Sequence, residues 1–132
     1  MDIGRFITLE GGEGTGKSTQ QLKLIEHLKN EGIEAIATRE PGGSSGGEKL
    51  RELIIGDKSH NWDPISEVLL FFAARRNHME ETILPAIYDG KWVVCDRFVD
   101  SSMAYQGIAQ GLGETRIKRL VDFTLDGCMP DL

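Results

Sequence analysis

The 132-residue sequence predicts an α/β fold in which a parallel sheet lies between two layers of helices, a three-layer sandwich. Short apolar runs alternate along the chain with longer amphipathic segments, which is the pattern of strand–helix–strand units. Glycine clusters at 11–16, 42–47 and 107–113 fall between these segments, where a chain reverses or approaches a ligand closely. Parallel strands need such helical crossovers, so the alternation predicts helices on both faces of the sheet.

The first part of the chain contains two predicted strands, at 6–9 and 33–38. Residues 17–31 form the helix between them, which ends at a glycine. Its predicted apolar stripe consists of Leu22, Ile25 and Leu28. The Pro- and Gly-rich segment 39–43 is a loop, and 47–55 is a short helix.

A longer helix begins at Asp63 and Pro64, because aspartate caps a helix and proline is favoured at its first position. We expect it to run to Tyr88 with a kink at Pro85, which lacks an N–H donor. Its predicted inward-facing side chains are Val68, Leu69, Phe72 and Ala73.

A buried strand at 92–95 ends at Asp96, and helices are predicted at about 99–109 and 114–126. The closing segment 129–132 has the character of a lead into another strand. We therefore interpret residues 1–132 as the N-terminal portion of a single domain whose C-terminal part is missing.

The net charge of −6 argues against a general nucleic-acid binder or a membrane-surface protein. No apolar stretch is long enough to cross a bilayer, and the N-terminus is not a signal peptide. Cys95 and Cys128 have no metal-ligand or disulfide spacing, so we predict reduced thiols and a cytoplasmic protein.

Residues 11–18, GGEGTGKS, match the phosphate-loop pattern G-x-x-x-x-G-K-[ST] in full, between a strand and an amphipathic helix. Backbone N–H groups and the helix N-terminus bind phosphate oxygens there, Lys17 adds a positive charge, and the Ser18 hydroxyl is a ligand for Mg²⁺. The alternative is a glycine-rich loop with a solvated lysine. The motif predicts a P-loop NTPase fold that binds ATP with Gly11, Gly12, Glu13, Gly14, Thr15, Gly16, Lys17, Ser18 and Thr19.

Asp96 ends an apolar strand, the position at which P-loop folds hold Mg²⁺ directly or through water. The alternative is an ordinary surface aspartate at a strand end. Arg97 follows at once, and in extended backbone neighbouring side chains point to opposite sides. The two charges therefore need not neutralise each other. We predict Asp96 and Ser18 as metal ligands, and Lys17, Asp96 and Arg97 as the catalytic residues.

Four segments extend this interpretation to a family. The strings TREPGG at 38–43, LLFFAARR at 69–76, DRFVDSSMAYQG at 96–107 and PDL at 130–132 occur in the order found in thymidylate kinases. The chain resembles the bacterial type of that family from residue 6 to its end. The resemblance implies a nucleoside monophosphate kinase domain that uses Mg²⁺ and transfers the γ-phosphoryl group of ATP to dTMP, giving dTDP for dTTP synthesis. It also implies a homodimer.

The resemblance assigns roles to nine substrate-binding residues. Three would contact the base: Phe71 by stacking, Arg75 through thymine O4, and Gln106. Two would hold the acceptor phosphate, Arg51 and Arg97. The other four are Glu13 at the 3′-hydroxyl, Tyr105 at the 2′ position, Glu40 near the metal or its waters, and Ser102. Without the resemblance, Arg75 and Arg76 are a solvated cationic face, Ser101 and Ser102 are helix caps, and Phe72 is a core residue in either case.

An acceptor phosphate is largely ionised near neutral pH, so the predicted reaction needs no general base. Catalysis then consists of positioning and charge neutralisation. The bacterial type supplies its catalytic arginine from a lid, which would lie beyond residue 132. We therefore expect the 132-residue chain to turn over very poorly, because losing such an arginine costs about 10³–10⁵ in rate.

Two alternatives remain open. A deoxynucleoside kinase would phosphorylate a neutral hydroxyl and would need a carboxylate base, for which Glu40 is the candidate. A nucleotide-binding fragment without turnover is the other. Discrimination between dTMP and dUMP is also open, because a methyl contact contributes only about 1–3 kcal/mol.

Overall fold

The computed structural model describes residues 3–12, 14–56 and 61–132. The strands of this part are β1 (Phe6–Leu9), β2 (Ala35–Arg39) and β3 (Trp92–Asp96). Its helices are α1 (Lys17–Asn30), α2 (Ser45–Arg51), α3 (Pro64–His78), α4 (Leu84–Tyr88), α5 (Val99–Ser102) and α6 (Glu114–Leu125). Helical segments with wider, π-type turns follow α2, α3 and α5, at Glu52–Gly56, Met79–Ile83 and Met103–Ala109.

The three strands are parallel, in the order β1-β3-β2. Leu9 and Arg39 both lie in register with Asp96, so all three strands end at the same edge of the sheet. The C-terminal residues pair with the free side of β1, since Asp131 N donates to Phe6 O over 2.7 Å and Leu132 accepts from Thr8 N over 2.9 Å. This pairing agrees with the expected lead into another strand.

Both faces of the sheet are covered, as the fold class predicted. Val93 and Cys95 point to one face and pack with Ile83 and Leu125 in the main core. Val94 lies between them and points to the other face, where α1 packs along β2 and β3. The α/β three-layer arrangement is therefore confirmed. Among the described residues, no helix combines the length and the apolar character that a bilayer crossing requires.

The inward face of α1 is rotated relative to the predicted stripe. Leu28 is buried, but Leu22 is 66% exposed. Gln21 faces the sheet instead, and its Nε2 donates to Thr38 O and to Val94 O over 2.9 and 2.8 Å. A polar side chain can face inward when it binds strand carbonyls. Apolar spacing alone therefore assigned Leu22 to the buried side and missed Gln21.

The inward face of α3 also differs in part from the prediction. Val68 and Phe72 are buried as expected, whereas Leu69 and Ala73 are exposed. Arg75 takes an inward position instead, and its charge is compensated within the protein. The predicted cap is confirmed, since Asp63 accepts from Ser66 N over 2.9 Å.

Some helix and strand boundaries differ from those predicted. The predicted helix at 47–55 begins at residue 45 because Ser44 Oγ accepts from Gly47 N over 3.0 Å. The second strand covers 35–39 instead of 33–38. The winding of the helix changes before Pro85, since Met79–Ile83 is wider than an α-helix and α4 begins just before the proline, whereas the kink itself stays a prediction.

Candidate active site

A cavity of about 770 Å³ opens at the carboxyl edge of the sheet, where parallel α/β folds bind ligands. It brings together most of the predicted site residues: Gly12, Gly14, Gly16, Lys17, Ser18, Thr19, Glu40, Arg51, Phe71, Arg75, Asp96, Arg97, Ser102, Tyr105 and Gln106. Gly11 and Thr15 belong to the same loop but do not line the cavity, and Glu13 lies outside the described residues. A second cleft of about 600 Å³ beside β2 has a different lining that includes Gln21 and Thr82.

The glycine-rich loop has the backbone that its sequence requires. Gly11, Gly14 and Gly16 have φ values of 147°, 76° and 90°, which side-chain-bearing residues rarely adopt. Helix α1 begins directly after Gly16 without a side-chain cap. Its first N–H groups are therefore available to an anion at the cavity wall.

Lys17 and Asp96 form an ion pair at the base of this loop. Lys17 Nζ lies 2.9 Å from Asp96 Oδ1, and both side chains are largely buried, at 13% and 23% exposure. Asp96 Oδ1 is itself buried and accepts no well-aligned hydrogen bond within the described structure. The lysine and carboxylate predicted to bind phosphate and metal thus lie in contact, and the carboxylate retains unused acceptor capacity.

Arg97 has a left-handed backbone, with φ of 70°. The assumption that Asp96 and Arg97 diverge in extended backbone was therefore wrong. The expected separation of their charges still occurs, because Asp96 pairs with Lys17 and the Arg97 guanidinium lies 5.4 Å from the centre of the Tyr105 ring. Left-handed backbone costs a non-glycine residue about 1–3 kcal/mol and is concentrated at functional sites.

Positive charge accumulates on one side of the cavity. Arg51 Nη1 donates to Pro41 O over 2.8 Å, which holds the side chain in place. Burial lowers the pKa of Arg51, and the neighbouring charges of Arg39 and Arg97 lower it further. Like charges held together in this way are relieved when an anion binds between them.

The wall formed by the helical segment Met103–Ala109 carries an unpaired polar atom. Gln106 is 3% exposed, and its Oε1 has no hydrogen-bond partner within the described structure. A buried acceptor without a hydrogen bond costs about 1–3 kcal/mol. A ligand N–H group that donates to this oxygen therefore gains binding free energy of that order. Phe71 and Tyr105 also line this cavity and are partly exposed, whereas Phe72 is a core residue as expected.

Arg75 is buried, at 2% exposure, and fixed by three hydrogen bonds. Its Nε donates to Glu40 Oε1 over 2.6 Å, its Nη1 to Ser102 Oγ over 3.0 Å and its Nη2 to Phe98 O over 3.0 Å. The guanidinium also lies 4.7 Å from the ring centre of Phe72. Arg75 is therefore not part of a solvated cationic face.

Arg76 does fit the solvated interpretation. It is exposed, forms an i,i+4 ion pair with Glu80 over 2.7 Å, and donates to Thr124 O over 3.0 Å. The adjacent arginines of α3 thus have opposite environments, because neighbouring residues on a helix are about 100° apart.

Glu40 lines the cavity, but both of its carboxylate oxygens are engaged. Oε1 accepts from Arg75, and Oε2 lies 2.8 Å from Nδ1 of the buried His78. A carboxylate held between two such partners is poorly suited to act as a general base. The structure thus disfavours the assignment of Glu40 as the base of a deoxynucleoside kinase.

Two residues at this site were missed from the sequence, Glu10 and His78. Glu10 directly follows β1, and its carboxylate accepts from Phe98 N over 2.7 Å and from the Ser101 hydroxyl. It thereby caps α5, which has no side-chain cap at its own first position. Burial is the main cause that raises the pKa of Glu10, partly opposed by these hydrogen bonds. Its position at a strand end was the available sequence signal.

Glu40, His78 and Cys95 present potential metal-ligating atoms within 4.8 Å of one another. Burial raises the pKa of Cys95 well above its ordinary value, so the thiol stays protonated and ligates poorly. The guanidinium of Arg75 also lies against Glu40. We therefore assign these three residues a structural role.

Comparison with known proteins identifies relatives of the whole segment. The profile of the thymidylate kinase family matches residues 9–132. A thymidylate kinase from Alkalilimnicola ehrlichii is 52% identical over 132 residues, which are all of this chain and 61% of that protein. One from Clostridium novyi is 47% identical over 132 residues, which are 64% of its length. The chain thus spans about three fifths of the length of the curated relatives that it matches.

A solved structure shows the same architecture. The crystal structure of a thymidylate kinase from Ehrlichia chaffeensis superposes with a TM-score of 0.89 at 42% identity. The match covers 98% of this chain and 73% of the other.

Proposed function

The chain belongs to the thymidylate kinase family, and we propose that it carries the donor and acceptor sites for transfer of the γ-phosphoryl group of ATP to dTMP, giving dTDP. The observation that supports this best is that two features meet in one cavity: Asp96, whose buried Oδ1 is paired only with Lys17 at the phosphate loop, and Gln106, whose buried Oε1 has no hydrogen-bond partner in the described structure. Both residues line the same cavity. One is suited to a cation beside the phosphate loop, and the other to an N–H donor of a base.

The donor site in this proposal is the loop at 11–18 together with Lys17. The loop's N–H groups and the first turn of α1 bind the phosphates of ATP, as the positive φ angles at Gly11, Gly14 and Gly16 allow. Lys17 already lies at the cavity wall, where its ammonium can move from Asp96 to a phosphate oxygen.

Mg²⁺ fits the residues on the same wall. Asp96 Oδ1 is a buried carboxylate oxygen with free acceptor capacity, and the hydroxyl-bearing Ser18 lines the cavity near it. Oxygen donors of this kind are those that Mg²⁺ prefers. We propose that Ser18 and Asp96 hold the ion, which when bound neutralises charge on the donor phosphates.

The acceptor site uses the remaining cavity residues. Arg51 and Arg97 hold the dTMP phosphate, which explains their proximity despite like charge. Gln106 Oε1 accepts from thymine N3–H, Phe71 stacks on the ring, and Arg75 donates an N–H group to O4. Tyr105 borders the sugar, with its ring beside Arg97.

No general base is required in this scheme, because the dTMP phosphate is ionised near neutral pH. The chain's own residues bind two polyanions, reduce their repulsion with Lys17, Arg51 and Arg97, and hold the reacting oxygens in position. This agrees with the engagement of both Glu40 oxygens by protein groups.

The proposal includes a homodimer in the cytoplasm. Helices α3 and α6 lie side by side, and each exposes large apolar side chains: Ile65 and Leu69 on α3, and Phe123 at 86% exposure on α6. Large exposed apolar side chains on two adjacent helices support a subunit interface. The substitution Phe123→Glu is expected to shift the sedimentation coefficient to that of a monomer, and an unchanged coefficient would contradict the proposed interface.

The acceptor assignment is tested by calorimetry with three ligands. We expect dTMP to bind at least about tenfold more tightly than thymidine, since the arginines need a phosphate. We also expect N3-methyl-dTMP to bind more weakly than dTMP, because it cannot donate to Gln106. A phosphorylation assay that compares dTMP, dUMP, dCMP and thymidine as acceptors tests the reaction. Preference for thymidine over dTMP would refute the proposal.

A further inference from the structure

His78 is a buried titratable residue to which the proposed function gives no part in ligand binding. His78 lies in the last turn of α3 and is 0% exposed. Both ring nitrogens have partners: Nδ1 lies 2.8 Å from Glu40 Oε2, and Nε2 lies 2.7 Å from Thr38 Oγ1. Because an ionised carboxylate oxygen only accepts, Nδ1 donates to Glu40, and the threonine hydroxyl, which can donate or accept, bonds to Nε2. A neutral imidazole satisfies every one of these contacts.

The contacts of His78 continue into the cavity through Glu40. The second oxygen of that carboxylate, Oε1, accepts from Arg75 Nε over 2.6 Å. Arg75 in turn donates to Ser102 Oγ and to Phe98 O, which lie at the two ends of α5, directly before the segment that carries Gln106. An unbroken series of hydrogen bonds thus connects Thr38 on β2, His78, Glu40 and Arg75.

His78 also supports the loop that follows β2. A side chain at Gly43 would overlap the His78 ring and the Thr38 hydroxyl, so this loop packs directly on the imidazole. The carbonyl of Pro41 in the same loop accepts from Arg51 Nη1 over 2.8 Å. His78 therefore contacts both the carboxylate that holds Arg75 and the loop whose Pro41 carbonyl holds Arg51.

We propose that His78 is a positioning residue for the acceptor nucleotide: it fixes the carboxylate of Glu40 and thereby the guanidinium of Arg75. The inference rests on the proposed function, since it assigns Arg75 to the base. Imidazole suits this task because its two nitrogens, at fixed positions on one rigid ring, bond to Glu40 on one side and to Thr38 on the other.

The test compares binding of two ligands to the purified protein by calorimetry. His78→Gln is expected to weaken dTMP binding about tenfold and to change the affinity for a non-hydrolysable ATP analogue by no more than about twofold, because among the described residues His78 forms its hydrogen bonds with Glu40 and Thr38 and not with the phosphate loop. His27→Gln, on the exposed side of α1, is the matched control and should change neither affinity. Equal losses for both ligands in His78→Gln would indicate general destabilisation and would overturn the proposal.

A double-mutant cycle tests whether His78 acts through Glu40. If it does, His78→Gln and Glu40→Gln together weaken dTMP binding by less than the sum of their separate effects in free energy. Strictly additive effects would refute the linkage.

A second pair of variants applies if His78→Gln does not fold. Thr38→Val removes the hydroxyl that holds Nε2, whereas Thr38→Ser keeps it. We expect weaker dTMP binding only in the valine variant, and equal affinities in both would count against the proposal. If the wild-type protein itself fails to bind dTMP, the proposed function fails. If it binds and the His78 and Thr38 variants bind equally well, only this inference fails.

Discussion

Lys17 Nζ lies 2.9 Å from Asp96 Oδ1, which joins the start of α1 to the end of β3 across the mouth of the phosphate loop. In the absence of nucleotide each charge neutralises the other in a largely buried position. In the proposed function, MgATP offers each group another partner, a phosphate for the lysine and the metal for the carboxylate. The pair is therefore suited to hold the site in place until the nucleotide arrives.

This relationship predicts how Asp96→Asn alters ATP binding. In wild type, Mg²⁺ is expected to tighten ATP binding, and in Asp96→Asn most of that gain should disappear, because an amide is a weaker Mg²⁺ ligand than a carboxylate. Calorimetric titration of ATP with Mg²⁺ and with a chelator measures the difference. Asp100→Asn, an exposed position four residues along the chain, should keep the wild-type metal effect. Full retention of the effect in Asp96→Asn would exclude Asp96 as the metal-binding group.

Gln106→Leu is expected to weaken dTMP binding without lowering the stability of the fold. Because Gln106 Oε1 is buried without a partner, replacing the amide with an apolar group should leave the free energy of unfolding unchanged or raise it. The affinity for dTMP should fall about tenfold, since the acceptor for the base is lost. Denaturant unfolding and calorimetry give the two values, and Gln20→Leu, at an exposed position on α1 outside the cavity lining, is the control. Unchanged dTMP affinity would remove Gln106 from the site.

Glu10 predicts a pH dependence of stability. Burial raises its pKa above the ordinary value of 4.5, so the folded protein binds this proton more tightly than the unfolded chain does. Its contribution is complete below 4.5 and is lost as the pH rises through the raised pKa. The free energy of unfolding of wild type relative to Glu10→Gln should therefore decrease with increasing pH above 4.5. The slope is the readout, because it reports only those interactions that differ between the protonated and the ionised carboxyl group.

The groups that face Glu10 set this slope. Asp100 raises its pKa, while Arg75, Ser101 and the Phe98 amide lower it. Urea unfolding at several pH values, with Glu26→Gln on the exposed side of α1 as a control carboxylate, measures the dependence. An increase in relative stability with pH would show that the hydrogen bonds outweigh burial.

Phe72 is expected to contribute strongly to the core formed by α3 and α6. It is 1% exposed and packs in one cluster with Val68 and Ile117. Phe72→Ala should lower the free energy of unfolding by about 3–5 kcal/mol, through lost burial and the cavity it leaves. Leu22→Ala, at a position with 66% exposure, should change it by about 0.5 kcal/mol or less. Similar losses in both variants would contradict the assigned burial.

The fold and the proposed donor side of the site could be predicted from short stretches of sequence. The phosphate loop, the cap at Asp63 and the acid at the end of β3 depend on residues close together in the chain, so local pattern is sufficient. The proposed acceptor residues Phe71, Arg75 and Gln106 came from the resemblance of two segments to a family. The structure adds that they line one cavity.

The sequence by itself determined which segments become strands and helices and where the anion-binding loop lies, because backbone geometry follows from neighbouring residues. Only the tertiary structure decided which side of each helix is covered and which charges meet. Periodicity predicted an apolar side of α3, yet the position of α6 leaves Leu69 exposed while Arg75 is buried. Glu10 meets Ser101 across 91 residues, and Glu40 meets His78 across 38. Such partners are fixed by strand register and helix packing, which no local pattern encodes.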